Sequence, residues 1–588
     1  MSSDDGSSWN YVDFQAGKTP LPEPNLGWNT YGTGVESIGR DGAPESMDIP
    51  KPNADQILVR VDAVGLCYSD VKLIKQGGDH AKLYGRDLSV EPTRLGHEAS
   101  VTVIEVGKEL EDQFTPGQRL AIQPDIYVDG KATAYGYTIP GGLIQYHLIG
   151  KEILEADGGA GYLIPVDNTI GYAAAGLSEP WACVEGSYMQ RRRLDPAEGG
   201  TMLIVGSSDD ATAYTTSVGI GSPKTVIFAN APAAMTALIE EHAPDATTSA
   251  ENGFADAGSV AELTKTHVGE DGFDDIIVLG QTSADLIEEL AKVLAYRGMM
   301  TIVGTEPLDG LPNIDVGRLH YHYTAFVGTN TTDISNAWGE ERNRAETVPG
   351  GVAVVVGAGG PMGQMHMQRA IEKVDGPATL IGIDLDEERL ESARTMLAKL
   401  AEQHGRKLIL HDPGDNPTST MDLVLAESDG KGADDVIVSV PVGPVMGDAA
   451  TLMGPNGMLV LFAGVANGTL APLNMSDVYL NNAQFTGTSG SSIADQESVI
   501  QKALEGSLSP SRALAAVGGI EAGQDGVRAL LEGDYAGKVM IFPQLHGLDL
   551  MGLDELAEKH PDIGEALGEN NTWTLEAERL LFERYHAE

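Results

Sequence analysis

VAVVVGAGGPMG at 352–363 is an apolar strand that runs into four glycines, Gly357, Gly359, Gly360 and Gly363, and then into the helix-forming stretch QMHMQRAI. Strand, glycine turn and helix in that order let a backbone approach a pyrophosphate held at the helix N-terminus. Gly357, Gly359, Gly360, Pro361, Met362 and Gly363 are therefore the candidate dinucleotide loop. The turn holds one residue more than the usual G-x-G-x-x-G spacing and is read as slightly longer. TLIGID at 379–384 is the next strand, and its terminal Asp384 lies 21 residues after Gly363. A carboxylate there would bind a ribose 2′-hydroxyl and repel a 2′-phosphate, which favours NAD(H) over NADP(H). The alternative, that Asp384 only opens the helix DLDEERL, stays open.

Around this turn the chain alternates apolar strand and helix, with DDVIVSV at 434–440 and MLVLFAGV at 458–465. The same texture occurs earlier: TMLIVG at 201–206, TVIFAN at 225–230, DDIIVLG at 274–280, a helical ADLIEELAKVLAYRG and MMTIVGT at 299–305. Alternation of this kind predicts parallel sheets with crossover helices. The pairs Asp274–Asp275 and Asp434–Asp435 lie 160 residues apart, as do Gly304 and Gly464, while FVGT at 326–329 and FTGT at 485–488 differ by 159. The reading is an internal duplication into two tandem Rossmann-like, doubly wound units, 196–347 and 348–490, joined by the polar stretch RNRAETVPGG. In the first unit the loop reads VGSSDDATAY, where Asp209 and Asp210 would repel a dinucleotide, and its second strand ends in Asn230. That copy is expected to be degenerate and to bind no cofactor.

A chain of 588 residues exceeds one core, and at about 150 residues per domain it holds roughly four units. With 86 Asp plus Glu against 38 Lys plus Arg, its formal net charge is −48 and its pI about 4.4, which opposes nucleic acid as a partner. Dense carboxylate suits concentrated salt, a halophilic reading that stands beside a merely acidic host. No apolar run reaches the roughly 20 residues of a membrane span, and the start MSSDDGSSWN lacks a signal pattern, so the expectation is a cytoplasmic protein without a membrane partner. The basic run Arg191–Arg192–Arg193 is read as a solvated helix end.

Before residue 195 the pattern is short strands and tight turns, as in DQILVRVDAVG at 55–65 and SVTVIEVGKEL at 100–110. There GLCYSDV (65–71), RLGHEAS (94–100) and LSEPWACV (177–184) supply Cys67, His97, Glu98 and Glu179. Thiolate, imidazole and carboxylate are zinc's ligand types. Taken singly, Cys67 reads as a small buried hydrophobe, His97 as a core histidine and Glu179 as a helix start; together they read as a metal site. With only Cys67 and Cys183 in the chain, a four-cysteine structural zinc and a disulfide framework are excluded. Cys183 is read as packing. His80, His147, His320 and His322 are possible substrate contacts or ordinary histidines.

The motifs GLCYSDV, GHEAS and EPWACV, followed by a Rossmann unit, resemble the zinc-dependent medium-chain dehydrogenases, especially the polyol branch. QGGDHAKL (76–83), PGQRLAIQPDI (116–126) and GAGGPMGQMHMQRAI (357–371) resemble its sugar-phosphate reductases. The resemblance covers about 51–200 and 348–545. It implies an α/β protein with a GroES-like, mainly-β catalytic domain at 1–195, completed by about 491–545, and one catalytic zinc held by Cys67, His97 and Glu179 with Glu98 as an exchangeable ligand. Asp70 would orient His97, and Ser69 would take the proton of the substrate alcohol. The stretch YGRDLSVEP makes the Cys67–His97 interval longer than in the family.

The implied activity is NAD(P)-dependent alcohol or polyol dehydrogenation, EC 1.1.1.-, on the secondary alcohol or ketone of a polyol, sugar or sugar phosphate. A catalytically silent nucleotide sensor or scaffold, and a zinc-free reductase of the quinone type, are the alternatives. Family dimers join such sheets edge to edge, so the extra copy suggests a pseudo-dimer within one chain, with a homo-oligomer still open. The stretch 546–588 reads as a helical extension for packing or assembly, with Pro561 breaking its first helical pattern.

Overall fold

Ten consecutive buried residues, Ile57–Leu66, form the central strand of an eight-stranded, mainly antiparallel sheet. The computed structural model describes residues 9–128, 131–155, 161–251, 253–254, 256–414, 416–488 and 490–586. They divide into two compact units, one of 1–186 with 490–588 and one of 187–489. The run Ile57–Leu66 is wholly buried because neighbours cover it on both edges. Glu98–Val106 and Tyr146–Ile149 pair with it antiparallel, and so does Lys538–Phe542 from the far end of the chain. Arg60 and Asp62 are tolerated inside it because Arg60 Nε donates to Asp62 Oδ1 at 2.7 Å and Thr102 Oγ1 donates to Asp62 Oδ2 at 2.6 Å. This is the GroES-like part of the fold.

The tail is built into the same unit. Met551–Gly552 extends the sheet by pairing with Leu514–Gly519, and helices Leu553–Lys559, Pro561–Ala566 and Leu575–Tyr585 follow. Pro561 opens the second of these at its first position, where a missing N–H costs nothing. From the third, the buried Glu578 accepts hydrogen bonds from the backbone N–H of Tyr172 at 2.6 Å and of Ala173 at 2.9 Å. Those donors begin helix Tyr172–Gly176, which leads into helix Ser178–Gly186.

The second unit holds two six-stranded parallel sheets of one strand order. In the first the order is Thr247–Glu251, Thr225–Ala229, Thr201–Val205, Phe273–Leu279, Leu294–Val303, Ala325–Thr329. In the second it is Lys407–His411, Thr379–Ile383, Val352–Val356, Ala433–Val438, Met453–Leu461, Gln484–Gly487. Both are Rossmann-like. The aspartate pairs do the same work in each. Asp274 accepts from Thr201 N–H and Asp275 from Ala197 N–H and Arg193; Asp434 accepts from Val352 N–H and Asp435 from Val348 N–H and Arg344.

The sheets meet through reciprocal contacts. Helix Ser476–Leu480 lies on strand Ala325–Thr329, helix Val316–Tyr321 lies on strand Gln484–Gly487, and Asn313–Asp315 pairs antiparallel with Leu470–Pro472. Gly328 is needed at this junction, since a Cβ there would stand 2.7 Å from Cβ of Tyr479.

Two sequence expectations need correction. Arg191–Arg193 is not a solvated helix end: the helix stops at Gly186. Arg192 is buried and donates to the carbonyls of Leu319 (2.7 Å), Thr324 (3.2 Å) and Gly487 (2.8 Å) and to Thr486 Oγ1 (2.6 Å). Acceptors from both halves of the unit converge there, on helix Val316–Tyr321, the turn after it and strand Gln484–Gly487, and buried carbonyls need donors. The helix expected over ADLIEELAKVLAYRG ends at Lys292, and Leu294 instead pairs with Phe273 in the sheet.

Candidate functional site

Cys67 follows the central strand and His97 precedes the strand beside it. The antiparallel register pairs Gly65 with Glu98, which puts Cys67 and His97 at one end of the two strands. Cys67, His97 and Glu98 form a group whose donor atoms lie within 4.8 Å of one another. Glycine at 65 leaves room for the carboxylate, because a Cβ there would stand 2.1 Å from Glu98 Oε2. That oxygen is buried without a hydrogen-bond partner.

Asp70 ties two of these residues together. Its Oδ2 accepts the backbone N–H of Cys67 at 2.9 Å, and Oδ1 lies 3.3 Å from His97 Nδ1. The second contact is within ion-pair range although its angle is not that of a hydrogen bond. Burial works against an imidazolium at His97, but the Asp70 charge outweighs it and raises the His97 pKa. Ser69 is half-buried in the first turn of helix Tyr68–Gln76.

Glu179 stands in the first turn of helix Ser178–Gly186 and is buried. It lies outside the 4.8 Å group, but burial raises its pKa, with His97 opposing and Glu98 adding. Cys183 Sγ donates to Glu179 Oε1 at 3.8 Å, so the residue read as packing also touches a candidate ligand.

Lys538 escaped the sequence reading. On strand Lys538–Phe542, it donates from Nζ to Glu98 Oε1, with both side chains buried. Burial opposes its charge, but Glu98, then Cys67 and Glu179, raise its pKa. No local signal marks it, since its partner lies 440 residues away.

Of the four histidines, His147 is buried against Tyr135 Oη at 2.8 Å. His320 Nδ1 meets Leu461 O and His322 Nδ1 accepts from Arg318. His80 alone stands by the candidate ligands, its ring 5.2 Å from that of Tyr137, which is 5.6 Å from that of His97.

In the second unit Gly357, at φ +83°, starts a turn that ends at Gly360, and helix Pro361–Glu372 begins with Pro361 at its first position. Gly363 is required by close approach, a Cβ there standing 2.1 Å from Gly357 O. Met362 lies in the helix's first turn. Asp384, past the end of strand Thr379–Ile383, accepts from Gly359 N–H at 2.8 Å. Residues 206–224 of the first sheet contain no helix, and Asp210 accepts there from Tyr214 Oη at 2.7 Å.

The donor set fits zinc: one thiolate, one imidazole with its far nitrogen facing a carboxylate, and an orphaned buried carboxylate oxygen. The turn and Asp384 fit a dinucleotide.

Residues 53–155 match the alcohol dehydrogenase GroES-like domain family. The chain is similar to mannitol-1-phosphate 5-dehydrogenase of Aliivibrio fischeri, 23% identical over 92% of this chain and 94% of that protein. It is also similar to L-sorbose 1-phosphate reductase of Klebsiella pneumoniae, 27% identical over 51% of this chain and 75% of that one. Among solved structures, 2R,3R-butanediol dehydrogenase from Bacillus subtilis matches with a TM-score of 0.50 and 15% identity, covering 88% of this chain and 99% of its own; that likeness speaks to the fold. The chain carries the alcohol dehydrogenase GroES-like domain beside Rossmann-like sheets, and the resemblance to the zinc-dependent medium-chain dehydrogenases read from GLCYSDV, RLGHEAS and EPWACV holds.

Proposed function

We propose that the protein is a zinc- and nicotinamide-dependent oxidoreductase acting on a secondary alcohol or ketone of a polyol, sugar or sugar phosphate. The convergence of Cys67, His97 and Glu98, with Asp70 behind His97, carries this reading; the relatives' names support the substrate class. Zinc held by Cys67, His97 and Glu179 would supply a Lewis acid for the hydroxyl or carbonyl, and the nicotinamide would accept or return hydride.

The chain's own groups do the rest. Asp70 fixes the tautomer and orientation of His97. Ser69 Oγ takes the proton that leaves the substrate hydroxyl and passes it outward. Lys538 holds Glu98 Oε1 and leaves Oε2 as the exchangeable oxygen. The 357–360 turn and the helix after it receive the pyrophosphate, and Asp384 takes the ribose hydroxyls and favours NAD(H).

The first copy is proposed to bind no dinucleotide, supported by its missing helix and by Asp209 and Asp210 in the loop. Matching roles of Asp274–Asp275 and Asp434–Asp435 support a tandem duplication, and the reciprocal contacts support a pseudo-dimer within one chain. Elemental analysis and NADH fluorescence titration on protein purified without added metal test the whole reading. About one zinc and one NADH per chain are expected. NADH without zinc would favour a metal-free reductase or a sensor, and two NADH per chain would overturn the reading of the first copy.

A further inference from the structure

Helix Val316–Tyr321 belongs to the half proposed to bind no dinucleotide, yet it is fastened along the loop that leaves strand Met453–Leu461 of the other half. Val316 N–H donates to Thr469 O at 3.0 Å and Gly468 N–H to Asp315 Oδ2 at 2.8 Å. Glycine at 317 permits the approach, since a Cβ there would stand 2.4 Å from Ala466 O. The end of the helix then reaches Gly464, where a Cβ would stand 2.8 Å from Tyr321 Oη and 3.2 Å from His320 Nε2. His320 Nδ1 lies 3.1 Å from Leu461 O, and its ring meets that of Tyr321 edge-on at 4.6 Å.

Gly464 is on the same face as the 357–360 turn. Ser439 N–H donates to Val356 O at 2.9 Å and Ala463 N–H to Val438 O at 3.0 Å, which sets the carboxyl ends of three neighbouring strands side by side. A Cβ at Gly357 would stand 2.8 Å from Val440 Cγ2. Val436–Val438 and Leu459–Leu461 are buried, whereas Ser439, Val440, Phe462, Ala463 and Gly464 are each partly open to solvent, so an accessible shelf runs from the turn to Gly464. Asp384 would hold the adenosine ribose on the side of strand Thr379–Ile383. With the pyrophosphate at the turn, the nicotinamide half extends the opposite way, across the ends of Ala433–Val438 and Met453–Leu461. From Val352–Val356 to Met453–Leu461 is two strand spacings, about 10 Å, a span that one nucleoside covers.

The first half receives the matching helix and closes. Tyr479, on helix Ser476–Leu480, has Cε2 3.2 Å from where a Gly304 Cβ would be, and its hydroxyl donates to Glu306 O at 2.7 Å. Tyr479 is 3% exposed and Gly304 is buried beneath it. Tyr321 is 40% exposed and Gly464 is partly open. One interface thus seals the strand end in the half without a glycine turn and leaves a phenol hydroxyl at the strand end in the half with one. A hydroxyl has one donor and two acceptor sites, enough to keep a protein partner and still bond an amide.

We propose that Tyr321, a residue of the half that binds no dinucleotide, positions the nicotinamide of the cofactor held by the other half, its hydroxyl bonding the carboxamide, and that His320 holds the Tyr321 ring in place. The proposal rests on the dinucleotide reading of the 357–360 turn and adds a contact from outside that half.

The test measures binding of two ligands to the full chain by titration calorimetry: NADH, and ADP-ribose, which keeps the adenosine and pyrophosphate but has no nicotinamide. Tyr321→Phe keeps the ring and removes only the hydroxyl. It is expected to raise the Kd for NADH about fivefold, the loss of one hydrogen bond, and to leave the Kd for ADP-ribose unchanged. Unchanged NADH affinity in Tyr321→Phe, or equal weakening of both ligands, would overturn the proposal and leave the dinucleotide reading intact. A wild type that binds neither ligand would overturn both.

Discussion

Lys538 Nζ and Glu98 Oε1 are hydrogen-bonded partners 440 residues apart, both buried, one on the last long strand of the GroES-like sheet and the other beside His97. Removing one partner of a buried pair strands the other charge. Lys538→Met should therefore destabilise the protein by about 3–5 kcal/mol, read as a shifted urea midpoint. The double variant Lys538→Met/Glu98→Gln, which strands no charge, should recover part of that loss. A double variant no more stable than the single would show that the pair is not the source.

Asp70 accepts from the Cys67 backbone and faces His97 Nδ1, so Asp70→Asn keeps an acceptor while removing the charge. Zinc affinity, measured by competition with a chromophoric chelator, should fall about 10- to 100-fold. Thermal stability of the zinc-free protein should move much less. Equal losses in both would assign Asp70 to the fold alone.

Asp384 bonds Gly359 N–H, and Arg389 stands beside the same turn, its Cβ 2.6 Å from where a Gly359 Cβ would be. Asp384→Ala removes the carboxylate that would repel a 2′-phosphate and leaves Arg389 to meet it. The ratio of kcat/KM for NAD to that for NADP should fall by at least about tenfold. A wild type that already prefers NADP would reverse the role given to Asp384.

Arg192 satisfies acceptors from both halves of the unit 187–489. Arg192→Met leaves several buried acceptors without donors, each costing about 1–3 kcal/mol. Unfolding of unit 187–489 should shift to markedly lower urea. By light scattering the wild type should not form a dimer through the edge strands Ala325–Thr329 and Gln484–Gly487, because each already carries a helix of the other half.

Much of this architecture is legible locally. The apolar strands with their flanking turns declare two parallel sheets, and Asp384 is found by counting from a glycine turn. Cys67, His97 and Glu98 are legible as residue types, but their distance is set by the register of Gly65 with Glu98. Lys538 and Glu578 are illegible because each depends on a partner hundreds of residues away. Arg192 misleads for a related reason: three arginines in a row read as solvated charge unless the carbonyls they serve are known. The helix over 284–298 fails at Lys292 because Leu294 finds a strand partner in Phe273, and tertiary pairing overrides a helical pattern.

A symmetric homodimer carries every substitution twice, so a change that suits one subunit is imposed on the other. Here the two sheets share an order and an interface but are written in separate stretches of one chain. The loop at 206–224 carries no helix, while the turn at 357–360 leads into one. Each half is thereby free to vary alone, and one can specialise as scaffold without any concession by the other.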